Sequence, residues 1–130
     1  MQEDEFIEID FILGLLKPNA QKLFNEIILA RKNKMWSTTI VFCLAILDNI
    51  FNDDEYLNLV SGIEINEVKF SKDISWLRNK RNQILHYEAP KNTNKVILLT
   101  DHDLRLDSTK AYNILVKKLI FLLAQHFTND

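Results

Sequence analysis

Apolar and polar positions alternate along the chain at helical rather than strand spacing. Residues 5–16 are apolar apart from Glu5, Glu8, Asp10 and Gly14, and Pro18 with Asn19 then offers a break and a cap, so a first short helix is expected to end there. From Asn19 to about Met35, Leu23, Phe24, Ile27, Ile28 and Arg31 recur on one face, with Lys22, Asn25 and Glu26 on others. This is the pattern of an amphipathic helix, and its closing Arg-Lys-Asn-Lys cluster suits the negative end of the dipole. Ser37 is placed to cap a third helix through Phe51, apolar on nearly every side until Asp48, which belongs in the middle of a bundle.

The stretch 52–70 is mixed. Asn52, Asp53, Asp54, Ser61 and Gly62 are turn formers, and Glu55 to Val60 are expected to give no more than a turn or two of helix. Asp73 to Tyr87 reads as another helix, which Pro90 ends. Lys91 to Asn94 follow as a polar turn, and Val96 to Leu99 as a short strand or extended arm. Asp107 or Ser108 is expected to cap a long last helix reaching about Phe127. The expectation is an all-α single domain over 1–130, a bundle of four to five helices with a short extended segment or hairpin after the helix at 73–87.

Composition narrows the chemistry. The chain is 47% hydrophobic and 26% charged with a formal net charge of -2, the balance of an ordinary globule. Gly14 and Gly62 are the only glycines, so neither a phosphate-binding loop nor a dinucleotide-binding turn can be written. Cys43 is the only cysteine, which excludes an intrachain disulfide and any zinc site needing two thiolates. No N-terminal targeting pattern is evident, and the longest apolar run, Ile40 to Leu47, is far short of the roughly 20 residues that span a bilayer. A cytoplasmic protein with no membrane association is expected.

The segment Ile74 to Tyr87 carries the chemistry. At helical pitch Ile74, Leu77, Ile84 and Leu85 share an arc of about 100°, and Arg81 lies in its middle, a guanidinium where a seam calls for leucine. A buried arginine needs a partner, so Arg81 must meet a carboxylate, reach solvent, or open onto a polar pocket. Arg78, Asn82 and His86 follow at i, i+4 and i+8 beside that seam. Two guanidiniums, an amide and an imidazole around one apolar stripe suit phosphate binding coupled to proton transfer. The plainer alternative is an internal pair between Arg81 and Asp48, with His86 a surface residue at a helix end.

Arg81-Asn82-Gln83-Ile84-Leu85-His86 resembles the signature of the HEPN superfamily: arginine, a polar residue, three residues, histidine. These are small helical-bundle proteins, many of them metal-independent ribonucleases and toxins. Leu77-Arg78-Asn79-Lys80 is similar to that family's lead-in and Tyr87 to its aromatic exit, and the order of helices is alike over most of the chain. The resemblance implies a homodimer in which two motif helices bring both Arg81 and both His86 side chains into one cleft. It implies that His86 assists attack of a ribose 2′-hydroxyl on the adjacent phosphate, that Arg81 neutralises the developing charge, and that Asn82 orients phosphate or histidine. Arg78, Lys80 and Tyr87 are the expected substrate contacts, with no cofactor and no metal. RNA is the implied substrate, and a toxin or defence role with an antitoxin partner is the implied setting. One toxin branch carries a tyrosine two positions after the histidine; here Tyr87 follows at once and Glu88 takes the next place, a departure from that branch.

Charge distribution points to the same helix, because Lys69, Lys72, Arg78, Lys80 and Arg81 face only Asp73 within 69–81. A solvated helix face accounts for this equally well. Asp101-His102-Asp103 reads as a solvated connection before it reads as a metal loop, Cys43 as an inert buried thiol, and Trp36 and Trp76 as core or interface aromatics. Two readings stand beside the nuclease. One is a non-catalytic helical module binding RNA, a nucleotide or a protein partner; the other is a structural dimer in which Arg81 and Asp48 form a buried salt bridge.

Overall fold

The structure is a computed structural model that describes residues 3–57, 62–86 and 100–128, with side chains for 9–55, 65–86 and 100–123. Every regular element among the described residues is helical: α1 (Glu3–Leu15), α2 (Pro18–Lys32), α3 (Trp36–Phe51), the single turn α4 (Asp54–Leu57), α5 (Gly62–Lys69), α6 (Lys72–His86) and α7 (Asp101–Thr128). None is long and apolar enough to cross a membrane. Pro90, the turn at 91–94, the extended segment at 96–99 and Tyr87 lie outside the described residues.

The helix that is apolar nearly all round is the centre of the fold. Helix α3 packs against α7, α2 and α6, and α1 closes the bundle against α7. Ile40, Cys43, Leu44, Ile46, Leu47 and Ile50 of α3 are buried, on faces too far apart for one partner to cover, and this forces helices onto several sides. From α7, Ala111, Leu115, Leu119 and Leu122 recur every three or four residues and fill the facing side. Arg31 on α2 lies over the Tyr112 ring of α7 at 3.7 Å, and Phe24 tilts against the same ring, so α2 and α7 are pinned where both flank α3.

Helix boundaries depart from expectation in three places. Helix α3 starts at Trp36 with Met35 as its cap residue and no side-chain capping bond, so Ser37 lies inside the first turn. The Met35 carbonyl is instead taken by the Thr39 hydroxyl at 3.0 Å. Helix α7 starts well before Asp107, at Asp101, because the Thr100 hydroxyl accepts the Asp103 N–H at 3.1 Å. Asp101, His102 and Asp103 are therefore the exposed first turn of a helix and not a loop. The mixed stretch holds a whole helix, α5, whose Ile65 and Val68 enter the core at a spacing of three.

Candidate functional site

Helix α6 begins where the Ser71 hydroxyl accepts the Ile74 N–H at 3.3 Å, and Asp73 adds negative charge at the dipole's positive end. Its first half is anchored, with Ile74 and Leu77 completely buried. Its second half emerges. Arg81, Asn82, Gln83 and Ile84 are half-buried, His86 is exposed, and Leu85, expected on the packed arc, is 51% exposed. The apolar seam is thus shorter than its spacing suggested: Ile84 still packs on the core, while about half of Leu85 is left uncovered.

The guanidinium that meets Asp48 most closely is that of Arg78. Its Nη2 donates to Oδ1 at 2.8 Å and its Nη1 to Oδ2 at 3.4 Å, a two-pronged pair between α6 and α3. Arg81 reaches only the outer edge of that carboxylate, with Nη1 3.8 Å from Oδ2. The alternative of an internal pair between Arg81 and Asp48 is thus met only by this 3.8 Å contact, because Arg78 stands one turn nearer and takes both oxygens. Neither pair is fully buried, since all three side chains keep about a third of their surface. Arg81 instead donates from Nε and Nη2 to the Asn82 side-chain oxygen, at 3.3 and 3.0 Å. A neutral amide orients this fork without cancelling its charge.

Lys80 is tied into the fold as well. Its ammonium pairs with Asp107 of α7 at 2.9 Å and lies 5.9 Å from the Trp76 ring centroid. Asp107, expected with Ser108 as a candidate cap for the last helix, lies inside α7 and is this lysine's counter-ion. Gln83 adds a feature that sequence spacing did not single out, a buried side-chain oxygen without a hydrogen-bond partner among the described residues.

The candidates thus divide. Arg81 and Asn82 are joined, Arg78 and Lys80 are held by carboxylates of the same chain, and His86 stands exposed in the last turn of α6. Arg81 and His86 project about 140° apart around the helix and are separated by about 7.5 Å along it, so one protomer does not converge them on a single atom. Among the described residues no group of three or more histidine, cysteine, aspartate or glutamate side chains is placed to hold a metal ion. Cys43 is buried within α3, and burial pushes its thiol up to about 12 against the opposing influence of the Arg31 charge, far from a nucleophile's range. Compared with protein-family models, curated proteins and solved structures, the chain matches none.

Proposed function

We propose that the chain is a metal-independent endoribonuclease of HEPN type, acting at a composite site on a homodimer. The observation that carries the reading is the charge left over on α6. Lys80 holds Asp107, but Arg78 and Arg81 have only Asp48 between them, and Arg78 takes it closely, so one guanidinium charge is left over at the half-exposed Arg81, whose plane is held by a neutral amide. A half-exposed guanidinium with charge to spare is complementary to a phosphate, which would displace the Asn82 oxygen from its Nε–Nη2 edge.

The exposed His86 supplies the proton transfer. As base, it takes the proton of the ribose 2′-hydroxyl while that oxygen attacks the neighbouring phosphorus. The bond to the 5′-oxygen breaks, and the leaving oxygen takes up a proton from solvent water. The products are a 2′,3′-cyclic phosphate and a 5′-hydroxyl. Arg81 stabilises the added charge on the phosphoryl oxygens, with Asn82 fixing its plane. Because Arg81 and His86 diverge on a single helix, a second copy of α6 supplies the complementary partner, and the exposed Leu85 beside Ile84 offers the contact.

RNA incubated with the chain in EDTA tests this, with wild type compared against Arg81→Ala and His86→Ala. Cleavage that survives the chelator, leaves cyclic phosphate ends and falls about 10²- to 10⁴-fold in either variant is the expected result. Binding without cleavage would identify a non-catalytic module, and cleavage unchanged by both substitutions would overturn the assignment.

A further inference from the structure

We infer that the groove between the start of α6 and the exposed face of α7 is a track for single-stranded RNA, the ribose-phosphate strand that the proposed site would cleave. The proposal rests on that reading for its choice of polyanion. The groove itself, about 590 Å³, is separate from Arg81 and His86; besides two apolar side chains, its lining comprises Asp73 of α6 and Arg105, Thr109, Lys110, Asn113 and Lys117 of α7.

These α7 residues fall within an arc of about 140°, and Arg105 and Lys117 are about 18 Å apart along the axis, a length that serves several successive phosphates. All five are exposed, and among the described residues Arg105, Lys110 and Lys117 have no carboxylate partner within ion-pairing distance. The single acid in the lining, Asp73, lies 3.6 Å from the Lys118 ammonium. Over 105–118 the sequence holds Arg105, Lys110, Lys117 and Lys118 against Asp107 alone, in a chain whose net charge is -2. A local excess of cations in an acidic chain concentrates a polyanion at one place instead of attracting it everywhere.

The second observation favours a nucleic acid over another polyanion. Lys110 lies at the join between groove and α6, with its ammonium 4.1 Å over the Trp76 ring. Trp76 is half-buried, and its ring also lies near Lys80, whose ammonium pairs with Asp107. When Lys110 turns to a phosphate it uncovers an indole face at the groove's edge. A base stacks on such a face irrespective of its identity, while the amide of Asn113 donates to phosphate or sugar. Cations in line with a partly covered indole serve phosphates and bases together.

The test uses wild-type protein and a fluorescein-labelled 2′-O-methyl oligouridylate, which the 2′-hydroxyl mechanism cannot cleave. Binding is compared with the triple variant Arg105→Gln, Lys110→Gln, Lys117→Gln, its fold verified by circular dichroism. Expected is a loss of affinity of about tenfold or more, with a log–log salt slope shallower by about two, as three fewer phosphate contacts require. In a Trp36→Phe background, which leaves Trp76 as the only indole, binding is expected to quench the remaining fluorescence. Equal affinity in the triple variant, no binding by wild type, or tighter binding to anionic phospholipid vesicles than to the oligonucleotide would overturn the proposal. The nuclease reading fails on a different result, RNA cleavage indifferent to Arg81→Ala and His86→Ala, so the two are separable.

Discussion

Arg78 and Asp48 form the closest ionic link between α6 and the central helix, with Nη2 2.8 Å from Oδ1 and Nη1 3.4 Å from Oδ2. The pair is part-exposed, so its net value is set by geometry more than by dielectric. Arg78→Ala is expected to destabilise the fold by about 1–2 kcal/mol, since it removes a two-pronged charged contact and leaves Asp48 with only the 3.8 Å approach of Arg81. Arg81→Ala is expected to cost less than about 1 kcal/mol, because Asn82, its hydrogen-bond partner, is only half-buried. Urea denaturation of both variants checks the ordering. A larger loss for Arg81→Ala would show that its role is to hold the bundle together.

Leu77 and Leu85 occupy the same side of α6 and have opposite fates. Leu77 is fully buried, and Leu77→Ala is expected to cost about 2–5 kcal/mol through lost transfer energy and the cavity left behind. Leu85 is 51% exposed, and Leu85→Asp is expected to leave the unfolding midpoint of a dilute monomer within about 0.5 kcal/mol of wild type. The same substitution is expected to abolish self-association if α6 meets a second copy there. Sedimentation velocity over a concentration series reads the second effect, and thermal melts read the first.

This contrast shows where sequence reasoning reaches its limit. The centre of the fold was legible because the apolar face of α3 runs nearly all round, a pattern that admits only a surrounded position. The motif helix was legible from the spacing of Ile74 and Leu77, though its cap at Ser71 was not read from the sequence. What spacing alone did not determine was where α6 leaves the core, since Leu85 satisfies the same periodicity as Leu77 and only the extent of the neighbouring helices separates them. The closer partner of Asp48 was equally hidden: Arg78 and Arg81 are one turn apart, and both guanidiniums come within 4 Å of that carboxylate. Helix α5 was missed because its few apolar residues, among them Ile65 and Val68, sit between turn formers, so the pattern is too short to register.

Lys34 carries strain that a single substitution relieves. It sits at φ 60°, just after the end of α2, in the left-handed region that L-residues with a Cβ avoid. The turn is held by the Met35 N–H, which donates to the Ala30 carbonyl at 2.8 Å, so the conformation closes the helix and is not incidental. Lys34 is exposed and makes no ion pair among the described residues. Lys34→Gly is therefore expected to stabilise the protein by about 0.5–1 kcal/mol, the strain relieved less the extra entropy of an unfolded glycine. A midpoint shift in chemical denaturation with an unchanged slope would establish it, and a decrease would refute it.

Cys43 gives the fold an alkaline limit. Burial in α3 moves its thiol from an ordinary value of 9.0 to about 12. The folded chain therefore keeps the proton over a range in which the unfolded chain has lost it. A group whose folded value is raised contributes fully below its unfolded value and loses that contribution as pH climbs towards the folded one. Stability should consequently be flat with respect to this group up to about pH 9 and fall progressively from there towards 12. Cys43→Ala leaves a small cavity that lowers stability at pH 7 and removes the thiol's share of the alkaline decline, so the gap between the two proteins is expected to narrow as pH rises. Denaturation of both at pH 7 and pH 10 measures that gap directly. The same burial predicts that a thiol reagent at pH 8 modifies native wild type only at the rate of unfolding, because the thiolate is scarce and the sulfur is enclosed.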